Sequence, residues 1–147
     1  MRRNLLLGRR GDMFAYFGVI MVFLMLPLSS LAIDIVRGMY VRGHLQTAND
    51  AACQAAADAL DAPLFTETGT TRIKPSLARS QASRVFYASL VDADGVGFAP
   101  NLGVAIVTPK RAHCTSVATV ARIIPGTPPM SVVVETTSEM RTSSLTR

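Results

Sequence analysis

The sequence predicts an α+β fold in which a long N-terminal helix crosses a membrane, continues as an exposed stalk, and packs on a small antiparallel sheet with a second helix. Three observations predict it. Residues 13–33 are uncharged, alanines recur at helical spacing in the segment that follows, and three runs rich in Val, Ile and Thr close the chain. With 147 residues, 49% of them hydrophobic and 17% charged, the chain suits one modest domain and excludes both a disordered protein and a two-domain enzyme.

The apolar run comes first. MFAYFGVIMVFLMLPLSSLAI is 21 residues long, and a helix needs about 20 such residues to cross the hydrocarbon of a bilayer. Asp12 is placed to cap its N-terminus, where orphan amides meet a carboxylate. Asp34 and Arg37 close the other end on one helical face. Pro27 removes a backbone hydrogen bond within the span and predicts a kink, with Ser29 and Ser30 available to freed carbonyls.

Charge orients this segment. Arg2, Arg3, Arg9 and Arg10 precede any acid, whereas from Asp12 onward eleven basic residues face ten acidic ones. The net charge of +5 is therefore an N-terminal tail and not a basic face, which argues against nucleic acid and for a cytoplasmic N-terminus. The expected division is a basic tail or leader over 1–11, a transmembrane helix over 12–33, and an extracytoplasmic stalk and α+β domain over 34–147. A retained anchor is preferred to cleavage after the small-x-small triplet ending at Ala32.

From Asp34 to Asp61 the helical period continues through Leu45, Ala48, Ala52, Ala55, Ala56 and Ala59. Gln46, Asn49, Asp50, Gln54, Asp58 and Asp61 are assigned to the opposite side, and Pro63 is expected to stop the helix. Small side chains demand a close neighbour, while Gly38 and Gly43 weaken the stretch nearest the membrane. Counted from Asp12 to Asp61 the rod holds 50 residues, about 75 Å at the standard rise.

The outer domain is read in order. Residues 64–75 suggest a loop with a short strand, and Pro75 opens a second helix to about Val91 with a buried stripe of Ala78, Ala82, Val85, Phe86, Ser89 and Leu90. Asp92, Asp94, Gly95 and Gly97 form a turn, since this Asp pair lacks the later glutamate of a calcium loop. Strands are expected over Leu102–Thr108, Cys114–Ile124 and Ser131–Glu139, with turns at Pro109-Lys110 and Pro125-Gly126. The sheet should lie on the alanine stripe, and the PGTPP segment from Pro125 should stay outside the ladder.

Cys53 and Cys114 both fall on the oxidising side of this topology, so a disulfide is expected ahead of two free buried thiols. Closing this 61-residue separation would stabilise by about 4 kcal/mol in the chain-entropy view. Metal binding by Cys53, Cys114 and His113 ranks last, because neighbours on a strand face opposite ways. His44 reads as a solvated helix residue. With no hydrolase elbow, phosphate loop or zinc-protease helix, no catalytic residue and no cofactor is expected.

The order Gly11, Pro27, Ala32, Asp34, Arg37, Leu45-Gln46, Ala48 and Asp50-Ala51-Ala52 resembles the N-terminal segment of the Tad (tight adherence) pilus-assembly family, the TadE/TadG-like minor pilins. The resemblance covers about residues 9–60 closely and implies a type IV pilin-like architecture. It also implies a non-catalytic, membrane-anchored minor pilin or pseudopilin that contacts other pilin-like subunits, pilus-assembly membrane proteins and the bilayer through its N-terminal helix. The expected location is the inner membrane of a bacterial envelope, with incorporation into an extracellular pilus. Pro27 is assigned to helix bending, and Asp34 with Arg37 to contacts at the membrane exit. Tyr16 stands five residues after Gly11, where processed prepilins of this superfamily usually carry glutamate. An uncut anchor is therefore preferred to processing between Gly11 and Asp12. Two other functions stay open: the repeating subunit of a type IV-like filament, and a membrane-tethered extracytoplasmic binding module.

Overall fold

The computed structural model describes residues 8–90, 98–123 and 126–141, with the side chains of the N-terminal helix described from Met13 onward. Helix α1 spans Gly8–Ala57 and has 50 residues, the expected length shifted four residues toward the N-terminus. Asp12 therefore lies within the helix and is not its cap, and the expected boundary at residue 11 falls in helical backbone. Neither Gly11 nor Asp12 lacks an N–H, so nothing there breaks the hydrogen-bond ladder. Arg2 and Arg3 lie outside the described residues.

The helix continues through Pro27. Ser30 Oγ donates to the Pro27 carbonyl at 2.9 Å, strengthening the turn after the proline. The carbonyl that the proline leaves without its usual donor belongs to Phe23, four residues earlier, so Ser30 does not serve the role assigned to it.

At its far end α1 stops at Ala57, not Asp61. Pro63 cannot donate to the carbonyl of Ala59, and Lys74 N–H takes that acceptor instead at 2.9 Å. Asp61 N–H likewise donates to Arg72 O at 2.9 Å, making a short antiparallel bridge between Leu60 and Ile73. Pro63 thus sits in the first turn of a second helix, α2 (Ala62–Thr68), where a loop was expected. Gly69 ends α2 in the left-handed region at φ 68°, donating its N–H to Phe65 O at 2.9 Å.

Helix α3 covers Pro75–Ala88. Ala78, Ala82 and Phe86 are buried as expected, followed by Leu90. Val85 is only half-buried, and Ser89 is exposed with its hydroxyl turned back to Val85 O at 2.9 Å. Val91, Asp92, Asp94, Gly95 and Gly97 lie outside the described residues.

Strands β1 (Phe98–Thr108), β2 (Arg111–Val120) and β3 (Met130–Glu139) form an antiparallel sheet in the order β1-β2-β3. β1 starts earlier than expected, β2 is three residues longer at its start, and β2 ends at Val120; Ile124 and Pro125 lie outside the described residues. The Pro109-Lys110 turn joins β1 and β2, with an irregular register between Ile106 and Thr108. Ile73 N–H donates to Pro109 O at 2.7 Å, tying this turn to the bridge below α1.

The helices cover one face of the sheet. The inward residues of β2 are Ala112, Cys114, Ser116, Ala118 and Val120, all buried. Facing them, α1 buries Val41, Leu45, Ala48, Ala52, Cys53, Ala56 and Ala57. Small side chains on both surfaces let the rod lie close along the central strand, while Leu102, Val104, Ile106 and Val132 on the flanking strands fill the space beside it. Phe86 of α3 and Leu45 of α1 are the largest fully buried side chains.

Candidate functional site

The first half of α1 touches nothing else in the protein. Its most apolar window is wholly unburied, long enough and apolar enough to cross a membrane. Phe14, Phe17, Phe23 and Leu26 are each more than 60% exposed. The chain has no further domain around this rod in the described residues, so the rod is not the core helix of a globular fold.

Between residues 34 and 41 the rod acquires two sides. Asp34 Oδ1 accepts the N–H of Ile123 at 3.2 Å, and Arg37 Nη1 donates to Ala121 O at 3.4 Å. Both partners lie just after β2, so the two residues assigned to the membrane exit hold the foot of the chain's own domain. Gly38 faces β3: a Cβ there would come within 2.6 Å of the Met130 methyl. Gly38 is therefore a notch for the Met130 side chain as well as a weak helix former, and Gly43 has open space beside it. On the other side Ile35, Val36, Met39 and Tyr40 remain exposed. An open groove of about 410 Å³ runs between Met39 and Met130, lined also by Ile35, Gly38, Arg42 and Val132. His44 is exposed and lies against the Tyr40 ring, with centroids 4.2 Å apart.

Farther along, polar side chains clamp helix to sheet. Asn49 Nδ2 donates to Cys114 O at 3.3 Å, Thr136 Oγ1 donates to Asp50 Oδ1 at 2.5 Å, and Ser138 Oγ donates to Gln54 Oε1 at 2.9 Å. Four helix residues advance about 6 Å and two strand residues about 6.6 Å, so Asp50 and Gln54 meet Thr136 and Ser138 in step. These contacts correct the assignment of Asn49, Asp50 and Gln54 to the side away from the packing: Asn49 is fully buried, and the other two reach β3. The signal was present in the i, i+4 spacing of Asp50 and Gln54 against alternate hydroxyls in β3, but a polar stripe on an isolated helix reads as a solvated face.

Cys53 and Cys114 come together inside this clamp. Both are free thiols, fully buried, and within hydrogen-bonding reach of each other. Cys53 Sγ also lies 3.5 Å from Ala112 O and 3.4 Å from Thr136 O. The Cys114 thiol donating to it holds Cys53 below the ordinary thiol range. Cys114, hydrogen-bonded to the Cys53 sulfur and desolvated by burial, is pushed far above that range. His113 points to the other face of β2, 3.9 Å from Glu135, so it does not converge with the thiols. Gly11 lies in helical backbone, and Tyr16 is exposed.

Residues 12–59 match the Tad family model, described as Flp pilus-assembly TadE/G-like. The match spans the bare rod, the transition at Asp34 and Arg37, and the sheet-facing alanines up to the turn after α1. No curated protein and no solved structure matches the chain. The matched family is one of pilus assembly, a structural role, and it fits a membrane-anchored envelope protein.

Proposed function

We propose that this chain is a non-catalytic minor pilin or pseudopilin of a Tad-type pilus, held in the inner membrane by residues 13–33 with its N-terminus in the cytoplasm. One observation carries the reading: a single unbroken helix is bare over the span and clamped to a folded domain over its second half, and the Tad match coincides with it. Such a rod exchanges lipid for equivalent helices of other pilins without unfolding its own domain. Asp34 and Arg37 hold the domain's foot against the rod at the point of exit. Pro27 gives the span a place to bend as it packs.

The exposed rod also supports the repeating subunit of a type IV-like filament, because nothing on it is reserved for a partner within the chain. The composition of sheared filaments separates the two: a trace band fits a minor subunit, a dominant band the repeating one.

The test is intact mass and topology of the native protein extracted from membranes. An unprocessed N-terminus, a domain digested only from the extracytoplasmic side, and loss of piliation on deletion support the proposal. A protein released from membranes by carbonate, together with normal piliation after deletion, would defeat it. A start at Asp12 would identify processing after Gly11, and a start at Ile33 a secreted domain.

A further inference from the structure

The chain's two cysteines come from distant parts of the sequence and meet where the stalk helix crosses the central strand. Cys53 lies on the inward face of α1, and its sulfur sits above the β2–β3 ladder, 3.4 Å from the carbonyl of Thr136, the residue paired with Cys114. One helical turn before it, Asn49 is bound to the Cys114 carbonyl at 3.3 Å. The helix is therefore registered on β2 at Cys114 by a contact that does not involve sulfur. Ala52, Ala56 and Ala112 surround the pair, and such small neighbours leave both thiols room to change rotamer without displacing a large side chain.

We propose that Cys53 and Cys114 form an intramolecular disulfide in the mature protein, a covalent clasp between the stalk helix and the central strand. The proposal rests on the reading that the domain lies outside the cytoplasm, where thiol pairs are oxidised. The reaction needs a co-reactant, a thiol–disulfide oxidoreductase in its disulfide form. One cysteine of the chain, as thiolate, attacks the donor disulfide; that bond breaks, a mixed disulfide forms, and the thiol proton passes to solvent. The second thiolate attacks the mixed disulfide, the Cys53–Cys114 bond forms, and the donor leaves as a dithiol. Two protons and two electrons have left the chain, and the donor has gained both electrons. Both sulfurs are fully buried in the folded protein, so exchange occurs before α1 is seated on the sheet.

The clasp gives the fold a mechanical property. The rod is the part held by lipid or by neighbouring subunits, and the sheet is the part that projects. A pull between them peels α1 from β2 along small-residue contacts, each of which is weak. A bond at Cys53–Cys114 stops that peeling at mid-stalk while leaving the bare half of the rod free.

The experiment uses the full chain extracted from membranes with thiols trapped by an alkylating agent and no reductant present. The expected result is no adduct on the denatured protein before reduction, two adducts after it, and one cross-linked peptide joining Cys53 to Cys114. Two adducts on the unreduced protein, in a preparation whose domain is shown by protease to be extracytoplasmic, would overturn the clasp and leave the membrane reading intact. A domain found in the cytoplasm would overturn both. Separately, the purified reduced chain is exposed to oxidised glutathione. It should close the bond stoichiometrically with unchanged circular dichroism and a ratio of unfolded to folded domain about a thousand-fold lower than in the reduced form. Failure to close, or closure with loss of structure, would show that the geometry is wrong whatever the compartment. The Cys53→Ser/Cys114→Ser variant should match the reduced chain in fold and in denaturation midpoint.

Discussion

Asp34 Oδ1 accepts a hydrogen bond from the backbone N–H of Ile123 at 3.2 Å. The first charged residue after the apolar run thereby fixes the level of a segment 89 residues away in sequence. Asp34→Ala removes the acceptor and should cost about 1 kcal/mol of domain stability, because the bond is exposed. Asp34→Asn keeps an acceptor oxygen and should cost less. Amide hydrogen exchange reads this directly: Ile123 should exchange faster in Asp34→Ala and nearly normally in Asp34→Asn. Equal protection in both variants and the native chain would show that the bond does not hold the foot.

The same bond sets which end of the domain faces the bilayer once residues 13–33 span it. The chain contains no tryptophan, so single substitutions serve as reporters. Ile123 is 47% exposed beside Asp34, and Val107 is 61% exposed at the opposite end of the sheet. In vesicles of phosphatidylcholine with brominated acyl chains, Ile123→Trp fluorescence should be strongly quenched and Val107→Trp fluorescence hardly at all. Equal quenching would place the domain on its side.

Ala52 lies fully buried on α1 in the small-residue surface that faces the sheet. Ala52→Leu should push the rod away from the sheet and destabilise the domain by about 1–3 kcal/mol, the usual cost of overpacking. The midpoint of urea denaturation checks it. An unchanged midpoint would mean that helix and sheet are not in close contact at that level.

The reduced thiol pair has a defined pH signature. Cys53, lowered by the thiol of Cys114, releases its proton in the native chain before the unfolded one does, near the ordinary value of 9.0. Stability of the reduced protein should rise with pH in the interval below 9.0, and this contribution is lost as pH falls through the native Cys53 value. Cys114 is raised by its bond to Cys53 and by burial. Above pH 9.0 the unfolded chain ionises this thiol while the native one retains its proton, so stability should then fall with pH. The difference between reduced and oxidised protein isolates both effects, since only the reduced form carries these groups. A pH-independent difference would contradict them.

The sequence by itself determined the elements whose signal is local. Twenty-one uncharged residues specify a rod that lipid can surround, whatever the rest of the chain does. Pro75 with Ala78, Ala82 and Phe86 specifies α3, and Val- and Thr-rich runs around Pro109-Lys110 specify a hairpin. Tertiary structure alone decided how these meet. The end of α1 moved to Ala57 because Lys74 claims the Ala59 carbonyl, and Pro63 became a helix opener for the same reason. Asn49, Asp50 and Gln54 look like a solvated stripe until β2 and β3 present carbonyls and hydroxyls in matching register. The meeting of Cys53 with Cys114 depends on that same register, which no stretch of sequence shorter than the whole domain encodes. Hydrophobic period and turn chemistry act over a few residues, whereas the pairing of polar groups across two elements is settled only when burial forces each to find a partner.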